Sequence, residues 1–161
     1  MAKIIPVIGS PGSGSTTLAV QLALHCSEKK ETVCLILTDP MLPPKSYLLK
    51  ESKTNSLGFL LSFPDLSEKQ ILASMDAATD SIGVLGYATG DRLQNFPVPS
   101  TVACEMLLKK LSLCTDTVIL DVGSRLTDKL TITALEKADA VVVCVDGTIK
   151  SEAWLANLQK P

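Results

Sequence analysis

The sequence predicts an α/β fold, a mostly parallel twisted sheet with helices on both faces, built as one domain over residues 1–161. Three observations carry this expectation. Continuous apolar runs of strand length recur at residues 4–8, 32–37, 117–120 and 140–145, as strands covered on both faces require. Segments with apolar residues at helical spacing stand between them. The first run also passes through a glycine turn straight into such a helical stripe, which is the opening of a strand-helix-strand unit. A hydrophobic content of 46% suits a single buried sheet in a chain of this length.

The glycine turn organises the rest. Ile4, Ile5, Pro6, Val7 and Ile8 run into Gly9-Ser10-Pro11-Gly12-Ser13-Gly14-Ser15-Thr16-Thr17 and then into Leu18, Leu22, Ala23 and Cys26. Glycines let backbone N–H groups curl around an anion without a Cβ in the way, and the following helix aims its positive end at the same spot. Against the phosphate-binding pattern G-x-x-x-x-G-K-[ST], Gly9 and Gly14 fall on the two glycines and Thr16 on the hydroxyl that holds Mg²⁺. Ser15 occupies the lysine position. Charge-assisted bonds to phosphate are worth roughly 1.5–3 kcal/mol against about 1 for neutral ones, so binding can survive the exchange with Mg²⁺ sharing the load. Fast hydrolysis is the casualty. A tight strand-to-helix connection would also use such a turn, and later residues weigh against that plainer reading.

Thr16 or Ser15 is expected to cap the first helix, which ends at the polar run 27–31. The strand at 32–37 stops at Thr38-Asp39-Pro40, which brings Asp39 to the sheet edge that carries the glycine loop. Residues 41–56 read as a mobile connection in which Lys45, Lys50 and Lys53 are expected in solvent, with a lysine reaching the phosphates as the rarer alternative. A short apolar stretch at 57–61 precedes a capped helix at 67–75, a strand at 81–87, and a second flexible region through Gly90, Pro97 and Pro99. Ser100 starts a helix with a stripe of Val102, Met106, Leu107, Leu108 and Leu111. The strand at 117–120 ends in Asp121, placed as the carboxylate that holds Mg²⁺ directly or through water. A helix over 127–137, a fifth strand over 140–145 and a last amphipathic helix over 149–158 follow, the latter packed on the sheet with Trp154 as a core or edge anchor.

Composition excludes several classes. Net charge is −2, and no basic block exceeds the pairs Lys29-Lys30 and Lys109-Lys110, so no nucleic-acid footprint is visible. The five cysteines, Cys26, Cys34, Cys104, Cys114 and Cys144, stand singly in apolar segments and read as small buried hydrophobes of a reducing, cytoplasmic protein. No segment approaches the roughly 20 apolar residues that a transmembrane helix needs, and the first apolar run is too short for a signal peptide.

Taken together, Gly9-x-Pro11-Gly12-x-Gly14-Ser15-Thr16-Thr17, Leu37-Thr38-Asp39-Pro40, Val118-Ile119-Leu120-Asp121 and the run 138–143 resemble the MinD/ParA family of P-loop ATPases across nearly the whole chain. The resemblance implies a three-layer P-loop NTPase fold, here short of the family's usual C-terminal length. It implies ATP and Mg²⁺ as cofactors. Gly9, Pro11, Gly12, Ser13, Gly14, Ser15, Thr16 and Thr17 would line the phosphates, Thr16 and Asp121 would hold the metal, and Asp39 would orient the attacking water. Both lysines of the family's deviant loop are replaced, at Ser10 and Ser15. In that respect the chain is similar to the TadZ/CpaE branch, whose members help localise pilus-assembly machinery. The partners so implied are a nucleotide, a protein of a localisation or secretion machine, and a second copy in a homodimer, which the loss of the lysine at Ser10 puts in question.

Three functions follow. One is a nucleotide-binding regulatory or localisation protein with weak or no ATPase activity. Another is a structural pseudo-ATPase that acts through protein contacts alone. The third is an active ATPase whose lysine comes from elsewhere, for instance Lys45 or a partner chain.

Overall fold

The computed structural model describes residues 1–49 and 56–158. Its strands are β1 (Lys3–Gly9), β2 (Val33–Leu37), β3 (Asp76–Ala77), β4 (Ile82–Gly86), β5 (Thr117–Gly123) and β6 (Val142–Cys144). Its helices are α1 (Ser15–Glu28), α2 (Lys45–Leu48), α3 (Leu57–Leu61), α4 (Glu68–Ser74), α5 (Thr101–Cys114), α6 (Lys129–Glu136) and α7 (Ile149–Leu158). The strands form one sheet in the order β3-β4-β2-β5-β1-β6, parallel throughout except where β3 meets β4.

β2 is continuously apolar in sequence, and β1 and β5 are largely so, yet their side chains alternate between two cores. Cys34 and Ile36 point to one face with Ile4, Ile8, Val118 and Leu120, beneath Leu60, Leu107, Leu108 and Leu111. Val33, Leu35 and Leu37 point to the other with Val7, Val84 and Ile119, beneath α1. Ala19, Ala23 and Cys26 are the α1 residues sealed there, so small side chains let this helix lie close to the sheet. Fully burying one leucine is worth about 1.5–3 kcal/mol, and the α5 stripe of Leu107, Leu108 and Leu111 supplies three.

Helix starts follow local chemistry. Ser56, Ser67, Ser100 and Asp128 each accept a backbone N–H three residues on, and Ser67 closes a reciprocal box with Gln70. Helix α1 departs from this expectation. Its cap is Gly14 in a left-handed conformation with no side-chain bond, so neither Ser15 nor Thr16 caps it, and a helix start has first N–H groups that no intrahelical carbonyl meets.

Other expectations need correction. The sheet has a sixth strand, β3, too short at two residues to show any period in the sequence. The connection after Pro40 carries the short helix α2, and Lys45 within it is fully buried. Lys50 and Lys53 lie outside the described residues. Cys26, Cys34 and Cys104 are buried, whereas Cys114 is exposed and Cys144 half-buried. Leu18 and Val102 face solvent, because Ala19 and Ala103 take the inward positions beside them.

Candidate nucleotide site

The parallel register gathers the chemistry at one edge. Val7 pairs with Asp121 and Gly9 with Cys144, while Leu37 pairs with Asp121 from the other side. The glycine loop, Asp39 and Asp121 therefore leave the sheet side by side, from the C-terminal ends of β1, β2 and β5. This is the edge where open α/β sheets bind ligands.

The loop shape depends on its glycines. Gly12 and Gly14 have φ of 83° and 85°, a region that costs other residues about 1–2 kcal/mol. Gly9 is needed for a different reason, since a Cβ there would lie 2.6 Å from Ser13 Oγ and 2.9 Å from both Ser15 Cβ and Cys144 Cβ. The loop folds back over its own first glycine. Ser13 N–H donates to the Ser10 carbonyl at 3.0 Å, which closes that turn.

Thr16 Oγ1 donates to Asp121 Oδ2 at 2.6 Å. Asp121 is buried, and its other oxygen, Oδ1, accepts no hydrogen bond among the described residues. Burial raises the pKa of this carboxyl, the Thr16 hydroxyl pulls it back, and the charge of Asp39 raises it further. Asp39 is exposed and accepts the N–H groups of Met41 and Leu42 at 2.8 and 3.1 Å, which fixes the first turn of its loop. Thr38, which sequence reasoning passed over, pins that loop to β5: its N–H and hydroxyl both reach the Asp121 carbonyl, at 3.2 and 2.8 Å.

A hydroxyl beside a buried carboxylate with an orphaned oxygen is a hard, all-oxygen donor set, and it fits Mg²⁺. No group of three or more His, Cys, Asp or Glu is placed to cage a metal among the described residues. Mg²⁺ needs none, because it keeps several waters and takes one or two protein ligands plus phosphate oxygens. Thr16 and Asp121 would hold it, and bound there it would offset the phosphate charge that no lysine of the loop meets.

Neither lysine position carries a cation. Ser10 is buried and shares a 2.8 Å hydroxyl contact with Ser151 of α7, a residue that no sequence signal marked. Lys45 does not take up the role either. Its Nζ lies 2.6 Å from Asp76 Oδ2, and its Cβ packs at Gly86 on β4. From β4 to β1 is three strand spacings, roughly 14 Å at about 4.8 Å each.

The fold is one that this chain shares with solved ParA and MinD proteins. Among solved structures, the chain is similar to a ParA family ATPase from Chlorobium tepidum, with a TM-score of 0.82 at 17% identity over 100% of this chain and 70% of that one. A putative plasmid partition protein from Borrelia burgdorferi bound to AMPPNP gives 0.73 at 21%, over 98% of this chain and 67% of the other. The septum site-determining protein MinD from Pyrococcus horikoshii, complexed with Mg-ADP, gives 0.73 at 16%, over 96% and 62%. These likenesses establish a shared fold. No family model matches the chain. No curated protein matches it either.

Proposed function

We propose that this chain is a single-domain, cytoplasmic nucleotide-binding protein. It takes ATP with Mg²⁺ and turns it over slowly or not at all, and it acts in regulating or localising a cellular machine. The observation that carries the reading is the pairing of an open, uncapped glycine loop with the Thr16–Asp121 contact and its orphaned oxygen. Gly9, Pro11, Gly12, Ser13, Gly14, Ser15, Thr16 and Thr17 would cradle the phosphates. Asp39 would orient a water near the terminal phosphate, without the lysine that normally stabilises the transferring group.

Solved proteins of this fold that hold AMPPNP or Mg-ADP support the ligand class. The exchange of both lysines for serine favours a TadZ/CpaE-like role at a pilus or secretion machine. A homodimer remains part of the proposal, with dimer formation on ATP as its sign. Calorimetric titration with ATP and Mg²⁺ tests the core of the reading. Micromolar to sub-millimolar affinity that is lost with EDTA is expected, and no heat at millimolar nucleotide would leave the pseudo-ATPase alternative in its place. Because Lys45 is sealed against Asp76, an active ATPase would need its lysine from elsewhere, for instance from a partner chain.

A further inference from the structure

We propose that helix α7 is a working part of the nucleotide site. Ser151 and Trp154 are positioning residues that brace the phosphate loop and the segment after Asp121 in one frame, so that a change in either is felt by the helix.

The brace has two ends. At the first, Ser10 Oγ and Ser151 Oγ lie 2.8 Å apart, each residue 2% exposed, and Ser151 Oγ also accepts the Asp146 N–H at 3.0 Å. Ser10 is at the same time built into the loop: its N–H donates to the Cys144 carbonyl at 3.1 Å and its carbonyl accepts from Ser13. At the second end, Trp154 Nε1 donates to the Ser124 carbonyl at 3.0 Å. Ser124 follows Gly123, whose φ of 68° turns the chain just past Asp121. One helix thus holds both segments that a bound triphosphate and its metal would touch.

The rest of α7 is lightly attached. Ser151 is its one buried residue among those described, and Trp154 and Leu158 pack only partly against the core. A helix with few buried apolar contacts is easily displaced, so its position follows its polar anchors. Its start is pre-set: Asp146 Oδ1 accepts the Thr148 N–H and hydroxyl, and Thr148 Oγ1 accepts the Ser151 N–H. Displacing the loop therefore moves a formed helix.

The ligand half of this inference rests on the nucleotide reading, and the brace itself does not. Trp154 is the single tryptophan of the chain, which makes its emission a built-in probe of α7. Hydrogen exchange of the full chain without ligand tests the brace. Ser10→Ala should speed exchange of the α7 amides about fivefold, the loss of one hydrogen bond, with β2 and β5 unchanged. Unchanged α7 exchange in both Ser10→Ala and Ser151→Ala overturns it. With ATP and Mg²⁺, the emission of Trp154 should change along the same saturation curve as calorimetry, and Ser151→Ala should bind nucleotide more weakly and show no such change even at saturation. Calorimetric binding with a silent Trp154 overturns the transmission. If no binding is seen, the nucleotide reading falls, and the exchange result alone upholds or overturns the brace.

Discussion

Lys45 Nζ and Asp76 Oδ2 meet at 2.6 Å with both side chains sealed from solvent, the lysine wholly and the aspartate nearly so. The pair fastens the segment after Asp39 to β3, the edge strand of the sheet. At its other end the same segment is fastened by Thr38 to the Asp121 carbonyl. A loop tied at both ends presents Asp39 in a defined place.

Breaking such a pair leaves a buried charge without its counter-charge. Asp76→Ala should lower stability by about 3–5 kcal/mol, measured by urea denaturation, while the double variant Lys45→Met with Asp76→Leu should recover most of the loss. Lys45→Met should leave the affinity of the folded protein for ATP unchanged. A collapse of affinity in that variant would return Lys45 to the phosphates.

Gly14 and Gly9 predict separable effects on the loop. Gly14→Ala puts a Cβ into open space but at φ of 85°, so it should cost about 1–2 kcal/mol through backbone strain and weaken nucleotide binding. Gly9→Ala collides with Ser13, Ser15 and Cys144 and should destabilise more. Thermal unfolding beside calorimetry on both variants checks the order.

Asp121→Asn should make the protein more stable and less able to bind. The folded carboxyl has a raised pKa, so between the unfolded and folded values the native state holds more protons than the unfolded one. Stability is then lost as pH rises through that window, and the amide removes the loss. Melting temperature at neutral pH should rise, its dependence on pH above the ordinary carboxylate value should flatten, and Mg²⁺-dependent nucleotide affinity should fall. A variant that melts lower at neutral pH would contradict this account of the site.

Thiol reactivity should follow burial. Burial pushes the Cys34 thiol up to about 12 and that of Cys104 to about 11, and it raises Cys26 as well, whereas Cys114 is exposed at the end of α5. Under native conditions at mildly alkaline pH, a chromogenic disulfide should label Cys114 quickly and leave Cys34 and Cys104 untouched until the protein unfolds. Peptide mapping distinguishes the sites.

Much of this was legible in order along the chain. The apolar runs read at 4–8, 32–37 and 117–120 fall on β1, β2 and β5, and Asp39 and Asp121 lie at the edge where strand polarity puts them. The glycines at 12 and 14 have the conformation that the loop pattern implies. Strand β3 escaped notice because two residues carry no period, and α2 because four residues among prolines read as loop.

The sequence by itself determined five of the six strands, the glycine loop and the residue types of the site, because local periodicity and backbone freedom are properties of neighbours in the chain. Tertiary structure alone decided the fate of the missing cations. Ser10 meets a hydroxyl 141 positions away, and Lys45 is drawn under the sheet edge to Asp76. Which charges and hydroxyls meet depends on strand order and on what is sealed from water, and no local pattern encodes either.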